Sequence, residues 1–391
     1  MKSAGDISRR LADAVSRQRL VETVTKLVAE PSPTGAAGAV SDCLAQILTS
    51  DGFVVERPAA GHDTAPAVVV WLKTKQPGRV LQFDGHLDTV HLPFVPPRVE
   101  GDLITGSGAS DMKSGVAAAV EAMRVLRETD ALTAGAVLLT AHDLHEAPWG
   151  LGQQLDSLIE QGYAGDAVLL PEPLSDRLPV VGRGAATWKA SIRRPGAPVH
   201  EVMRSADEPS VIAAGAALVA RLNALQEKLS RKSDALAGQE TVFVGQIHSG
   251  EIYNQYPSAC WLEGTRRWLP GTARAAVETE FRQLLTNLAQ ETGTTVEMEF
   301  RFVRDAFYLD QQDPIVAAFQ ESCTAISGRP LPIGPKPFVD DGNSFWGKKQ
   351  VPAITHGPRA GGQHTVQEWV SIDDLVRVAH LYALTAVAYC R

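Results

Sequence analysis

Three apolar runs constrain the fold of this chain more than any other feature: VLQFDGH (80–86), AVLLTAHD (136–143) and AVLLPEP (167–173). Each is about one strand long, and each carries a histidine or carboxylate at or next to its end. Apolar runs of this length without polar alternation suit strands buried on both faces. The intervening segments, SDMKSGVAAAVEAMRVLRE and GLGQQLDSLIEQGY, read as helices. Strands alternating with helices predict an α/β fold with a doubly wound, mostly parallel sheet. VVVWL (68–72) reads as a further strand neighbouring VLQFDGH. Residues from about Ser8 to Glu30 read as an amphipathic helix with Leu11, Val15, Leu20, Val24 and Leu27 on one side.

The pattern changes near Val180. Strand-like VVGRGAATWKASIRR is followed by a long helix, two strands, a second helix and TTVEMEFRFV. Strand, helix, two strands, helix, strand predicts a small α+β plait of the ferredoxin-like kind, with a four-stranded sheet. Helix, strand and helix then return. The expected organisation is one α/β domain, 1–180 with 301–391, interrupted by an inserted plait, 181–300. A length of 391 residues agrees with two domains.

With 44% apolar and 21% charged residues, the chain can build a large core. A net charge of -8 argues against nucleic acid or an anionic membrane as partner. The four cysteines, Cys43, Cys260, Cys323 and Cys390, lack zinc-ribbon or redox spacing and read as free thiols. The first fifteen residues lack the apolar core of a signal peptide, and no stretch has the length and apolarity of a membrane span. The expectation is a soluble cytoplasmic protein.

In open α/β sheets, sites form at the carboxyl ends of strands. His86 and Asp88 stand two apart there, which puts them on one face of an extended chain. Asp111 lies where the glycine-containing GSGASDMKSG enters a helix, a position that also suits a plain cap. Glu146 and Glu172 follow buried strands, and His364 lies in the glycine-rich GGQHTVQEW. Two imidazoles and three carboxylates form a nitrogen and oxygen donor set suited to zinc or a similar divalent ion. Two ions fit if one carboxylate bridges.

These segments, in this order, resemble the co-catalytic zinc hydrolases that include acetylornithine deacetylase, succinyl-diaminopimelate desuccinylase, carboxypeptidase G and the aminoacylases. The resemblance rests on GHLDTV, GSGASDMKSGVAA, LLPEP, the NQYP…TRRWLPG region and GPRAGGQHTVQEWVSIDDL, and it spans nearly the whole chain. It implies hydrolysis of an amide bond in a small carboxylate-bearing substrate. The α/β domain would be catalytic and the plait a lid that forms a homodimer. It implies one or two zinc ions, with cobalt or manganese as alternatives. Asp111 would bridge, His86 and Glu172 would complete one shell, and Glu146 and His364 the other. Asp88 would accept a hydrogen bond from His86 and fix its tautomer. His200 would reach a neighbouring subunit's site to polarise the scissile carbonyl. Asn254 would bind substrate, and Arg267, beside Arg266, would grip its carboxylate. The peptide after Asp111 would be cis.

The chain departs from the family at His145. The family has two adjacent glutamates where this chain has His145-Glu146, and the first of them is the general base. His145 takes over as base, or binds metal, or marks a weakened site in a protein that survives as a small-ligand binder. Asp143 and His142 lie close enough to compete for the position. The first reading is adopted, since a neutral imidazole titrates in the useful range. A second departure is Ser107, where the family has an arginine.

Overall fold

In the computed structural model, which describes residues 4–391, the chain divides into two compact units. The first runs to Val180 and takes in Leu309–Gly334 and Asp340–Arg391. The second is Val181–Tyr308 with the short segment Pro335–Val339. It extends past residue 300 because Phe307–Tyr308 pairs antiparallel with Val181–Gly182, which closes the excursion where it began.

The first unit is built on a six-stranded sheet. Its strands are β1 (Val55–Glu56), β2 (Val68–Lys73), β3 (Val80–His86), β4 (Ala136–His142), β5 (Ala167–Leu170) and Ala353–Thr355. They lie in the order β1, β2, β4, β3, β5, Ala353–Thr355. From β4 to Ala353–Thr355 every pairing is parallel, and β1 and β2 add an antiparallel edge. The expected neighbours β2 and β3 are therefore separated by β4. Burial accounts for the order. Strand β4 is buried at every position, whereas β2 ends in half-exposed Trp71 and Leu72 and exposed Lys73.

The single helix expected over 8–30 is two helices, α1 (Ala4–Ala14) and α2 (Arg17–Ala29). Ser16 breaks it. Its side chain accepts the Arg19 N–H at 3.2 Å, and its own N–H donates to Glu121 Oε1 at 2.8 Å. Glu121 is a buried carboxylate that also pairs with Arg19 at 2.7 Å. Burying a charge requires such partners, and Ser16 supplies one by leaving the helix. A further helix, α3 (Gly38–Ser50), packs beside β1 and β2. Helix α4 (Lys113–Thr129) is buried from Lys113 to Leu126, with α1, α2 and Ile372–Tyr389 packed around it. Helix α5 (Gln153–Glu160) and Gly342–Lys349 cover β5 and Ala353–Thr355 through Leu155, Ile159 and Phe345.

The second unit contains β6 (Gly184–Arg193), α6 (Val211–Leu229), β7 (Thr241–Ser249), β8 (Ala259–Trp268), α7 (Arg274–Thr292) and β9 (Thr295–Arg304). The sheet order is β7, β8, β6, β9, antiparallel throughout. Strand β6 alternates between buried and half-buried residues, and its Trp188, Ala190 and Ile192 meet Leu218 and Leu222 of α6 and Phe281 and Leu285 of α7. That period of two is why this unit is legible as a sheet covered on one face. Among the described residues no helix is long and apolar enough to cross a membrane. All four cysteines are free.

Candidate active site

The carboxyl ends of the parallel strands deliver the chemistry. His86 is the last residue of β3, and Glu172 lies two residues beyond β5. Asp111 precedes α4, whose first turn is small. A Cβ on Gly115 would stand 2.0 Å from the Pro171 carbonyl oxygen, so glycine alone lets α4 close against the end of β5. Asp111 is not the helix cap. The capping residue is Met112, which makes no side-chain cap bond, and the Asp111–Met112 peptide is cis. His364 lies in a turn carried by Ala360–Gly361 and Trp369–Ser371, whose sheet also includes Leu103–Thr105.

The five residues assigned to metal in the sequence come together. His86 Nε2 is 3.1 Å from Asp111 Oδ1 and 3.9 Å from Glu172 Oε1. His364 Nε2 is 3.5 Å from Asp111 Oδ2 and 3.2 Å from Glu146 Oε1. Asp111 thus presents one oxygen to each imidazole. Burial alone would raise the Asp111 carboxyl, but hydrogen bonds from His364 and His86 hold it below the usual range. Burial would lower the His86 pKa, yet Asp111 holds it well above the ordinary value. Hydrogen bonds to Asp111 and Glu146 lift His364 to about 10. Burial, then the charge of Asp111, pushes Glu172 well up. Three carboxylates crowded around His86 and His364 make this a site that favours positive charge, which a divalent ion at the same nitrogens would supply.

The surroundings fix these groups. His86 Nδ1 lies 3.0 Å from the carbonyl oxygen of Asp88 and 3.6 Å from its carboxylate. Asp88 thus meets the His86 ring through its backbone carbonyl more closely than through its carboxylate. A carbonyl only accepts, so Nδ1 carries the hydrogen and Nε2 faces the cluster. The buried Asp88 carboxylate accepts the backbone N–H groups of His145, at 3.1 Å, and Glu146, at 3.0 Å. Glu368, not singled out from the sequence, accepts the N–H groups of Ser110 and Asp111 at 3.0 and 3.1 Å. Burial lifts its pKa to about 7. Ser107 accepts the Val95 N–H at 2.9 Å and so serves the loop that leads to Asp111.

His145 sits in a closed loop. Leu144 is left-handed, with φ at 65°, and its carbonyl accepts the Gly152 N–H. A Cβ on Gly150 would lie 2.2 Å from the Leu144 oxygen, so the loop folds back only with glycine there. The His145 ring stacks on His86, with centroids 4.0 Å apart and planes 5° from parallel. Its Nε2 is 4.0 Å from Glu172 Oε1, and its Nδ1 is 2.9 Å from Asp341 Oδ2. The two competitors point elsewhere. The Asp143 carboxylate accepts from Gly35, Ala37 and Leu144 and pairs with His62 at 3.0 Å. His142 Nε2 lies between Asp84 and Asp341.

The remaining sequence-assigned residues lie in the second unit. His200 Nε2 is 3.1 Å from Asn254 Nδ2, and His200 Nδ1 is 2.7 Å from Glu201. Arg266 is buried in an ion pair with Glu240 at 2.6 Å. Arg267 instead lines a cavity with Arg183, Asn223, Gln226 and Thr265. Burial and the nearby Arg183 charge both lower the Arg267 pKa. Two guanidinium groups facing one cavity favour an anion there. Arg183, between Val181–Gly182 and β6, was missed in the sequence because one arginine among strand residues carries no local signal.

Comparison with known proteins adds to this geometry. A family profile described as Peptidase family M20/M25/M40 matches residues 83–388. A succinyl-diaminopimelate desuccinylase of Methylobacterium nodulans is 27% identical over 383 residues, covering 93% of this chain and 94% of that one. A tripeptidase structure from Staphylococcus aureus superposes with a TM-score of 0.81 at 21% identity, covering 96% and 99% of the two chains. The Bacillus subtilis YXEP protein, described as a dinuclear metal binding peptidase, superposes with a TM-score of 0.69 at 16% identity, covering 95% and 97%. The two structures share the fold.

Proposed function

Because the chain belongs to Peptidase family M20/M25/M40 and is thereby a hydrolase of amide bonds, we propose that it cleaves a C–N bond in a small carboxylate-bearing molecule, an N-acyl amino acid or dipeptide. The reaction uses one or two divalent ions, zinc foremost, with cobalt or manganese as substitutes. One observation carries the reading: Asp111 turns one oxygen to His86 and the other to His364. His86, Asp111 and Glu172 would hold one ion, and Asp111, Glu146 and His364 the other. When bound, the ions polarise a carbonyl and make water a nucleophile near neutral pH.

The protein groups do the rest. His145 accepts the proton of the attacking water and returns it to the leaving amine. Arg267 and Arg183 grip the substrate carboxylate. Asn254 binds substrate, and His200 polarises the scissile carbonyl, acting in the partner's site of a homodimer. The dimer forms along β7, an edge strand with exposed Phe243 and Ile247, near exposed Ile212 of α6. An apolar edge of this kind calls for a cover. The free thiols support a cytoplasmic location.

A second reading of His145 has its own observation. His86, His145 and Glu172 each offer a ligand atom, and these lie within 4.8 Å of one another. On that reading His145 is a ligand, and its loss would remove an ion.

Turnover is the test. N-succinyl amino acids come first, since the desuccinylase relative suggests them, followed by N-acetyl amino acids and dipeptides. Chelation should abolish hydrolysis and added zinc restore it. No turnover on any member counts against this substrate class. In light scattering the protein should show the mass of a dimer, and Ile212→Glu with Ile247→Lys should show that of a monomer. A monomeric wild type with full activity would remove the proposed role of His200.

A further inference from the structure

Behind His145 lies a chain of buried side chains that the hydrolytic reading does not use. Asp341 Oδ2, 2.9 Å from His145 Nδ1, is also 3.3 Å from His142 Nε2. His142 Nε2 is in turn 3.5 Å from Asp84 Oδ2. Thr140 donates to the other Asp84 oxygen and accepts from Gln82 Nε2 at 2.7 Å. Asp84, His142 and Asp341 are at most 1% exposed. His142 Nδ1 faces the Asp143 carbonyl at 3.2 Å, and its Nε2 stands within ion-pair reach of both Asp84 and Asp341 without an aligned hydrogen bond to either.

The acceptors decide the tautomer of His145. A carboxylate receives a hydrogen, so His145 Nδ1 carries one. The lone pair of the neutral ring is then on Nε2, which faces Glu172 beside the stacked His86 ring. We propose that Asp341 is a positioning residue that fixes His145 as the Nδ1–H tautomer with its Nε2 lone pair turned into the site, and that His142 and Asp84 hold Asp341 in place. This rests on the reading of His145 as base. It ties the histidine at 145 to partners elsewhere in the chain: an imidazole needs its far nitrogen held, as a glutamate does not.

The first measurement needs no change to the relay. In the zinc-loaded full chain with ¹⁵N-labelled histidine, the His145 signals are identified by their loss in His145→Gln. Nδ1 should be protonated and Nε2 bare; an Nε2–H tautomer overturns the proposal. In kinetics, Asp341→Asn should lower kcat roughly 10–100-fold, with KM and zinc content near wild type. In the His145→Gln background the same substitution should change kcat little, because its effect passes through His145. Equal losses in both backgrounds overturn the positioning role and leave the base reading standing. Full activity of His145→Gln removes the base reading, and the relay with it.

Discussion

Asp111→Ala is expected to strip the site of its ions and bring turnover below detection. Among the described residues Asp111 is the one whose carboxylate pairs with both His86, at 3.1 Å, and His364, at 3.5 Å. Partners outside the ligand shell typically cost 10–100-fold in affinity or activity when removed, and a bridging ligand should cost more than about 100-fold. Of the two buried glutamates, Glu146 would keep His364, and Glu172 would keep His86 and His145. Metal analysis after dialysis reads the loss directly. Thermal melting gives a second readout. Zinc at 100 times its Kd should stabilise the wild type by about 2.7 kcal/mol, because it binds the folded state alone. Asp111→Ala should show no such shift. Asp111→Asn keeps the shape and loses the charge, so it should fall between the two. If Asp111→Ala holds two equivalents of zinc, the bridge is misassigned.

The convergence of the five candidate ligands was legible because a simple rule applies to it. Buried strands in a parallel sheet are continuous apolar runs, and the residues that follow them are gathered at one edge of the sheet. His86 ends one such run, and Glu172 and Glu146 stand two and four residues beyond the ends of their strands. Strand order was not legible. VVVWL and VLQFDGH are adjacent in the chain, yet β4 pairs between them, and nothing local to either run encodes that insertion. The Ser16 break was hidden because the apolar spacing runs on across it, while its cause, Glu121, lies 105 residues away. Helix α3 does carry a local signal, with Val40, Leu44, Ile47 and Leu48 at helical spacing. Glu368 and Asp341 had no signal, because each acts on a backbone or side chain more than 190 residues distant. The positions of the candidate ligands follow from local pattern, whereas their hydrogen-bond partners follow from the finished fold.

His145→Ala should keep its ions and lose turnover by about 10²- to 10⁴-fold, the usual cost of removing a positioned base. That corresponds to about 2.7–5.5 kcal/mol of barrier. The structure explains why metal should stay. The loop at 145–146 is held by backbone N–H groups on the Asp88 carboxylate, and alanine preserves both bonds. Glu146, 3.2 Å from His364, should therefore stay in place when the ring is gone. The loss should appear in kcat more than in KM, since His145 is assigned to proton transfer rather than to substrate. His145→Glu restores a proton acceptor of the family's usual type, so it should exceed alanine. It should stay below wild type, because its carboxylate would lie next to Asp341, which suits an imidazole N–H and repels a second negative charge. The ligand reading of His145 predicts a different result, one ion lost with the ring, and metal analysis of the same variant separates the two. An alanine variant that works at the wild-type rate across pH would place the base elsewhere. Asp143 could not replace it, because four donors already occupy its carboxylate on the side of Gly35, Ala37 and His62.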